Sequence, residues 1–427
     1  MKLQRSQIAN GVFLNQIETD RFKSDRLEIL FSLPTTPQSL ANGTLLFNVL
    51  RENCADYPTQ ALLARRLEEI YDTSLSATRS TDGDRLILGM SLDVLDNDYA
   101  TDGMDILGEA LRVLTACLLR PNVTDGAFDA ACVKREQKNA ADEIAARINN
   151  KMRYALLRLR ECMFAGEPFA LSATEEAIYA ITPTSLYRFY KELLRTASVE
   201  IFYAGRPHTE TLTAFANRLF AEIERDPIPD TKTALHAASA HVQRVTETLP
   251  VRQGKLCMGF AGAAPLGDPM YATGILFRTV YGSSPVSKLF MNVREKLSLC
   301  YYCHAISLSE KGAMAVSSGV ENDKKEQAEQ EILAQLAEIQ RGNISDEELA
   351  IAKKFAISAC RTVSDSTGGL IQWYSQRAPI GVSEEPMQMA ERLSALTARD
   401  VAEYAQRLTL DTVYFLEGSL PTDAEEE

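Results

Sequence analysis

A chain of 427 residues with 45% hydrophobic and 24% charged side chains has the make-up of a soluble globular protein and exceeds what one hydrophobic core holds, so two to four domains are expected. Its net charge of −13 comes without a compensating basic stripe, which argues against a nucleic-acid partner, and no apolar run approaches the roughly 18 residues of a membrane span. The start, Met1 to Ser6, leads into polar sequence rather than an apolar signal core, and the eight cysteines fit reduced thiols, so a cytoplasmic protein is expected.

In chain order, residues 12–19 and 26–33 read as strands joined by a charged turn. Leu45, Leu46, Val49 and Leu50 mark a helix from Thr44 to Asn53, and Pro58-Thr59 opens a second one reaching about Tyr71. Strands are expected at 74–80 and 85–92, around the turn Asp82-Gly83-Asp84. A helix near 99–118 follows, then the break Arg120 to Val123 and one long helix from Asp125 to about Cys162. Thr182-Pro183 starts another helix, and Val199 to Ala204 is a short apolar strand ending at Gly205. Residues 206–245 are polar and less patterned, with the linker between two halves at Asp226 to Asp230.

Beyond the linker the order returns. A strand at 255–262 precedes a helix from Pro269 to Tyr281, a helix carrying Arg294, and strands at 301–308 and 312–318. Helices run from Lys324 to Gly342 and from Asp346 to about Val363, Gly368-Gly369 reads as a helix interruption, and a last helix from Thr397 precedes the strand Thr412 to Leu416 and Gly418. The tail Thr422 to Glu427 reads as a solvated end. Residue matches accompany this order: Asn122-Val-Thr-Asp125 with Asn343-Ile-Ser-Asp346, Ile181-Thr182 with Leu396-Thr397, and Gly205 with Gly418. Each hydroxyl or carboxylate there is also a credible helix cap. Three matches in one order, at slowly drifting offsets, favour a duplicated α+β architecture.

Four histidines (His208, His236, His241, His304) lie in no zinc-binding spacing and read as scattered surface residues. Cys300-Tyr-Tyr-Cys303-His304 matches C-x-x-C-H formally. In a regular strand positions 300 and 303 point to opposite faces, which disfavours a thiol pair. Arg294, late in a helix, and Tyr301, at the start of a strand, can converge on one point. Guanidinium and phenol suit a peptide carbonyl or its oxyanion, although spacing alone favours a surface Arg and a half-buried Tyr.

These features resemble the insulinase-like (M16) metallopeptidase family over nearly the whole chain. Val293-Arg294-Glu295-Lys296 through Tyr301 is similar to the family's REK…Y segment, whose Arg and Tyr contact substrate near zinc. Counting back from Tyr57-Pro58-Thr59, the H-x-x-E-H positions fall on Thr44, Leu45, Leu46, Phe47 and Asn48, so both metal histidines and the general-base glutamate are absent. The helix around Arg135-Glu136 and Asp142-Glu143-Ile144 resembles the one supplying a further glutamate, and one carboxylate cannot hold catalytic zinc. The resemblance implies an α+β fold of the M16/LuxS-like metallohydrolase type, with two homologous halves, each an antiparallel-rich sheet with helices packed on one side. The halves would be 1–225, with the degenerate zinc motif, and 240–427, with the Arg/Tyr motif. It also implies a non-catalytic subunit with no metal or cofactor of its own. Arg294 and Tyr301 would bind a peptide or small-protein substrate and serve the zinc of a heterodimeric partner, as in two-chain bacterial members. The alternative is a non-enzymatic scaffold or peptide-binding protein; similar chains of Gram-positive bacteria carry a label that mentions elongation factor P modification.

Overall fold

The apolar alternation at 12–19 and 26–33 builds the middle of a sheet. The computed structural model describes residues 3–420, so the tail Thr422 to Glu427 lies outside the described residues. The first unit contains β1 (Leu3–Ala9), β2 (Val12–Glu18), β3 (Ser24–Pro34), β4 (Ser74–Asp82) and β5 (Arg85–Leu95), the short ribbon β6 (Val123–Thr124) and β7 (Ala127–Phe128), and β8 (Ser198–Gly205). Six of these form one sheet in the order β1-β2-β8-β3-β5-β4, antiparallel except for β2 beside β8. Alternation of side chains splits the apolar residues between two faces. Leu27, Ile29, Phe31, Val199 and Ile201 enter the larger core with helices Pro37–Glu52, Ile106–Leu119, Pro183–Thr196 and Thr209–Phe220. Ile17, Leu30, Phe202 and Ala204 face the other way, against Leu370, Ile371 and Tyr374 of helix Thr367–Arg377. Coverage of both faces explains why β8 is an unbroken apolar run apart from Glu200. That buried carboxylate accepts from Arg5 at 2.8 Å and Asn15 at 2.7 Å.

The second unit holds β9 (Gln243–Leu249), β10 (Gly254–Ala261), β11 (Cys300–Leu308), β12 (Ala313–Val320) and β13 (Thr409–Gly418), in the order β11-β12-β10-β13-β9. Here β13 and β9 are parallel and the other pairs antiparallel. Strand for strand this repeats β4-β5-β3-β8-β2, so the duplication read from residue matches is a duplication of topology. Cys257, Ala315, Tyr414 and Leu416 pack against Ala155 and Leu159 of helix Lys151–Met163. The units differ from the halves 1–225 and 240–427 by two segments. The first takes in 363–385 as well as 171–232, and the second takes in 147–170 as well as 233–362 and the chain from 386 on.

Other expectations are corrected. The single helix from Asp125 to Cys162 is two helices, Ala130–Ala146 and Lys151–Met163. The first ends at Ala146, and Asn150 caps the second by accepting the Arg153 N–H at 3.1 Å, a local bond that competes with one continuous helix. Asp125 opens no helix: it sits at φ +51° in the β6–β7 turn, and Asp129 caps the helix through the Cys132 N–H at 2.9 Å. Thr182 and Thr397 do cap helices, each in a reciprocal capping box with the residue three further on. Gly368-Gly369 lies in the first turn of a helix capped by Ser366, rather than interrupting one. The region 206–245, read as polar and less patterned, contains helix Thr209–Phe220 and the start of strand β9. No described helix is long and apolar enough to cross a membrane.

Candidate functional site

The zinc-motif positions lie on the Pro37–Glu52 helix of the first unit. Thr44 is buried; its hydroxyl donates to Leu40 O at 2.7 Å and accepts from Arg79 Nη1 at 2.8 Å. Arg79, on β4, also stands 3.7 Å from Glu143 of the Ala130–Ala146 helix. Asn48 accepts weakly from Arg51 Nε at 3.4 Å. Phe47 is 2% exposed, its ring centroid 5.6 Å from that of Phe31. Glu136 is buried and accepts from Asn139 at 3.0 Å. A catalytic zinc needs imidazole, thiolate or carboxylate donors. The helix offers a hydroxyl, a benzene ring and an amide, and a guanidinium between Thr44 and Glu143 opposes a second cation. These residues do not fit a catalytic zinc.

Arg294 and Tyr301 lie on the second unit. Leu289 and Val293 anchor the π-helical segment Leu289–Lys296 in the core, and Ser298 at φ +49° turns the chain into β11. The Arg294 guanidinium lies 4.7 Å over the Phe290 ring, its Nε 3.5 Å from Glu295. β11 is an edge strand. Its pairing with β12 slips at one place, where Cys300 stands opposite Val320 but Tyr302 opposite Gly319. Tyr301 is therefore the extra residue of a β-bulge, the device by which a strand re-aims one side chain. It is 63% exposed, and its hydroxyl makes no hydrogen bond to a described residue. An open pocket of about 340 Å³ is lined by Gly282 to Pro285, Phe290 and Cys303 to Ala305, with neither Arg294 nor Tyr301 in its lining.

The same bulge overturns the reading of the cysteines. With one residue extruded, Cys300 and Cys303 stand opposite Val320 and Ser318 and share one face of the strand. A hydrogen bond from the Cys303 thiol holds Cys300 down to about 7, aided by Ser318 and by the charge of Arg294, against burial. Burial first, then that bond, drives Cys303 well above the ordinary thiol range. The Leu299 N–H donates to Val293 O at 3.0 Å, which sets the end of that segment beside the bulge.

The histidines are not all scattered on the surface. His241 is exposed. His236 has only 8% of its side chain exposed, with Nδ1 2.7 Å from Glu167 and Nε2 3.3 Å from Asp411. The buried Lys311 joins this network, 2.7 Å from Glu167 and 2.6 Å from Ala234 O. His208 meets Asp25 and Asp96, whose ligand atoms and its own all lie within 4.8 Å of one another. These three flank β3, β5 and β8 and are neighbours through strand order, which residue spacing does not reveal. Burial raises the Asp25 carboxyl, opposed by bonds from the Tyr203 hydroxyl and the Arg206 N–H.

Residues 180–355 match the family described as the Peptidase M16 inactive domain. A crystal structure of a conserved protein from Enterococcus faecalis V583 superposes with a TM-score of 0.91 at 26% identity, covering 100% of both chains. The repeated topology and the matched family model make this chain similar to inactive homologues of the M16 peptidases. In particular it is similar to the "Probable inactive metalloprotease YmfF" of Bacillus subtilis (strain 168), 27% identical over 411 residues, 96% of each chain. The "Uncharacterized zinc protease YmxG" of the same organism is 25% identical over 188 residues, 44% of this chain and 45% of that one.

Proposed function

We propose that this chain is the zinc-free, substrate-holding member of a two-chain peptidase, with Arg294 and Tyr301 directed at the scissile carbonyl beside the zinc of a partner subunit. The observation that carries this reading is the bulge. It gives up a ladder position on an edge strand to push a phenol into solvent, just after the segment whose guanidinium is steadied on Phe290, a ring that also lines an open pocket. Donors aimed where an oxyanion develops are typically worth about 10²–10³ in rate each. In a complex with an H-x-x-E-H subunit, Arg294→Ala or Tyr301→Phe should lower peptide cleavage by that factor while the complex still co-elutes. Full activity of both mutant complexes rejects the assignment.

A second reading rests on the same strand. β11 leaves one edge unpaired, and an extended peptide can add to such an edge by main-chain hydrogen bonds, making the chain a peptide-binding scaffold. Stable assembly with a zinc-motif subunit, without any cleavage that chelator abolishes, supports this reading over the first. No described side chain speaks for elongation factor P.

A further inference from the structure

Three strand ends meet on one rim of the first sheet. Asp25 stands at the start of β3, Asp96 directly after β5, and His208 three residues after the end of β8. β3 pairs with both neighbours there, Ser24 opposite Leu95 and Arg26 opposite Ala204, so the pairing itself brings the three side chains together. Asp25 and Asp96 are 1% and 2% exposed, while His208 keeps 23% of its side chain open to solvent.

The hydrogen bonds leave these groups incomplete in one direction. Asp25 Oδ2 accepts from the Tyr203 hydroxyl at 2.6 Å and Oδ1 from the Arg206 N–H at 3.1 Å. Asp96 Oδ1 accepts from the Asp98 N–H at 2.9 Å and lies 3.5 Å from Arg206 Nε. The Arg206 guanidinium itself turns out to the exposed Asp98. Asp96 Oδ2 and His208 Nε2 have no hydrogen-bond partner, although both atoms are buried. They face each other at 3.6 Å, and His208 Nε2 stands 3.9 Å from Asp25 Oδ2.

A charged imidazole paired with a carboxylate closes to about 2.7–2.9 Å. Ligands of one ion, at bonds of about 2.0–2.2 Å and tetrahedral to octahedral angles, sit about 3.0–3.6 Å apart. The two separations from His208 Nε2, 3.6 and 3.9 Å, fall within a few tenths of an ångström of the second pattern and well outside the first, and all three ligand atoms lie within 4.8 Å of one another. Burying an acceptor without a partner is costly, and here an acceptor and an imidazole nitrogen are left open toward the same point.

We propose that Asp25, Asp96 and His208 form a binding site for one divalent transition ion of the zinc or manganese kind, separate from the family's zinc-motif positions at Thr44 to Asn48. Two carboxylates neutralise the ion, one imidazole selects a borderline metal over calcium or magnesium, and the remaining positions take water from the side where His208 is open. The Tyr203 hydroxyl on Asp25 is the outer partner that fixes a ligating carboxylate. The ion ties the ends of three strands together, a role in stability rather than in peptide cleavage.

The test uses the full chain, freed of metal with chelator and titrated with Zn²⁺ and Mn²⁺ by calorimetry, alongside thermal melts. One equivalent of either ion should bind and raise Tm, and both effects should be lost in Asp96→Asn and His208→Ala. X-ray absorption on the zinc-loaded wild-type chain should show nitrogen and oxygen ligands without sulfur, a readout that does not depend on the variants folding. No binding of either ion by the wild-type chain overturns the proposal. So does a sulfur-containing shell, or binding that persists in folded Asp96→Asn and His208→Ala proteins.

Discussion

At the scale of single residues, the loss of the zinc motif has become part of the packing. Phe47, the position at which the resemblance to M16 peptidases expects the general base, is 2% exposed beside Phe31. Truncating such a buried ring costs about 3–5 kcal/mol, and a carboxylate there would also lose its solvation with no partner provided. Phe47→Glu should therefore destabilise the first unit by at least about 3 kcal/mol, seen as a lowered denaturant midpoint, whereas the half-exposed Asn48→His should cost little. A Phe47→Glu protein as stable as the parent would show that the core still keeps room for the glutamate. Arg79 sets a second barrier, since it bonds Thr44 and lies near Glu143.

At the scale of elements, the strongest departures from the sequence reading are local events that break a period. The alternating strand β3, the apolar runs of β2 and β10, and helices with hydroxyl caps, such as those behind Thr182 and Thr397, were legible from period, apolar content and capping residues. The strand β9 was not. Its Gln-Arg-Val-Thr-Glu-Thr-Leu run is largely exposed, and it is held as an edge by parallel pairing with β13. The bulge at Tyr301 was equally silent, because one extruded residue changes which side chains share a face without changing composition. The Arg294 and Tyr301 pair could be singled out from sequence, but the exposure of the phenol and the thiol pair beside it follow only from the pairing register. The thiol pair gives a test of that register. With Cys300 lowered to about 7, its thiolate is the major form above that pH, whereas an ordinary cysteine needs about 8.5. Its iodoacetamide labelling rate, followed by mass spectrometry, should be half-maximal near pH 7, and Cys303→Ala should move that midpoint up toward the ordinary range. A wild-type midpoint near 8.5 would mean that the two thiols do not meet.

At the scale of the whole molecule, a repeated five-strand order makes each unit look self-sufficient, yet each takes one helix from the opposite half of the sequence. Leu370, Ile371 and Tyr374 cover the outer face of the first sheet, at Ile17, Leu30, Phe202 and Ala204. Ala155 and Leu159 do the same for the second, at Cys257, Ala315, Tyr414 and Leu416. Sequence repeats place boundaries by the order of elements, and a helix that packs on the other repeat keeps its place in that order, so the halves 1–225 and 240–427 miss the exchange. Since β8 and β13 are central strands buried on both faces, losing either helix contact should loosen the sheet it covers and leave the other unit protected. Ile371→Ala and Leu159→Ala each remove buried methyl groups, at about 2–5 kcal/mol apiece. Hydrogen exchange read by mass spectrometry should then lose protection in β3 and β8 for Ile371→Ala, though that residue lies in the second half of the chain, and in β10 and β13 for Leu159→Ala. If each substitution instead loosened the unit of its own sequence half, the two helices would not be exchanged between the halves.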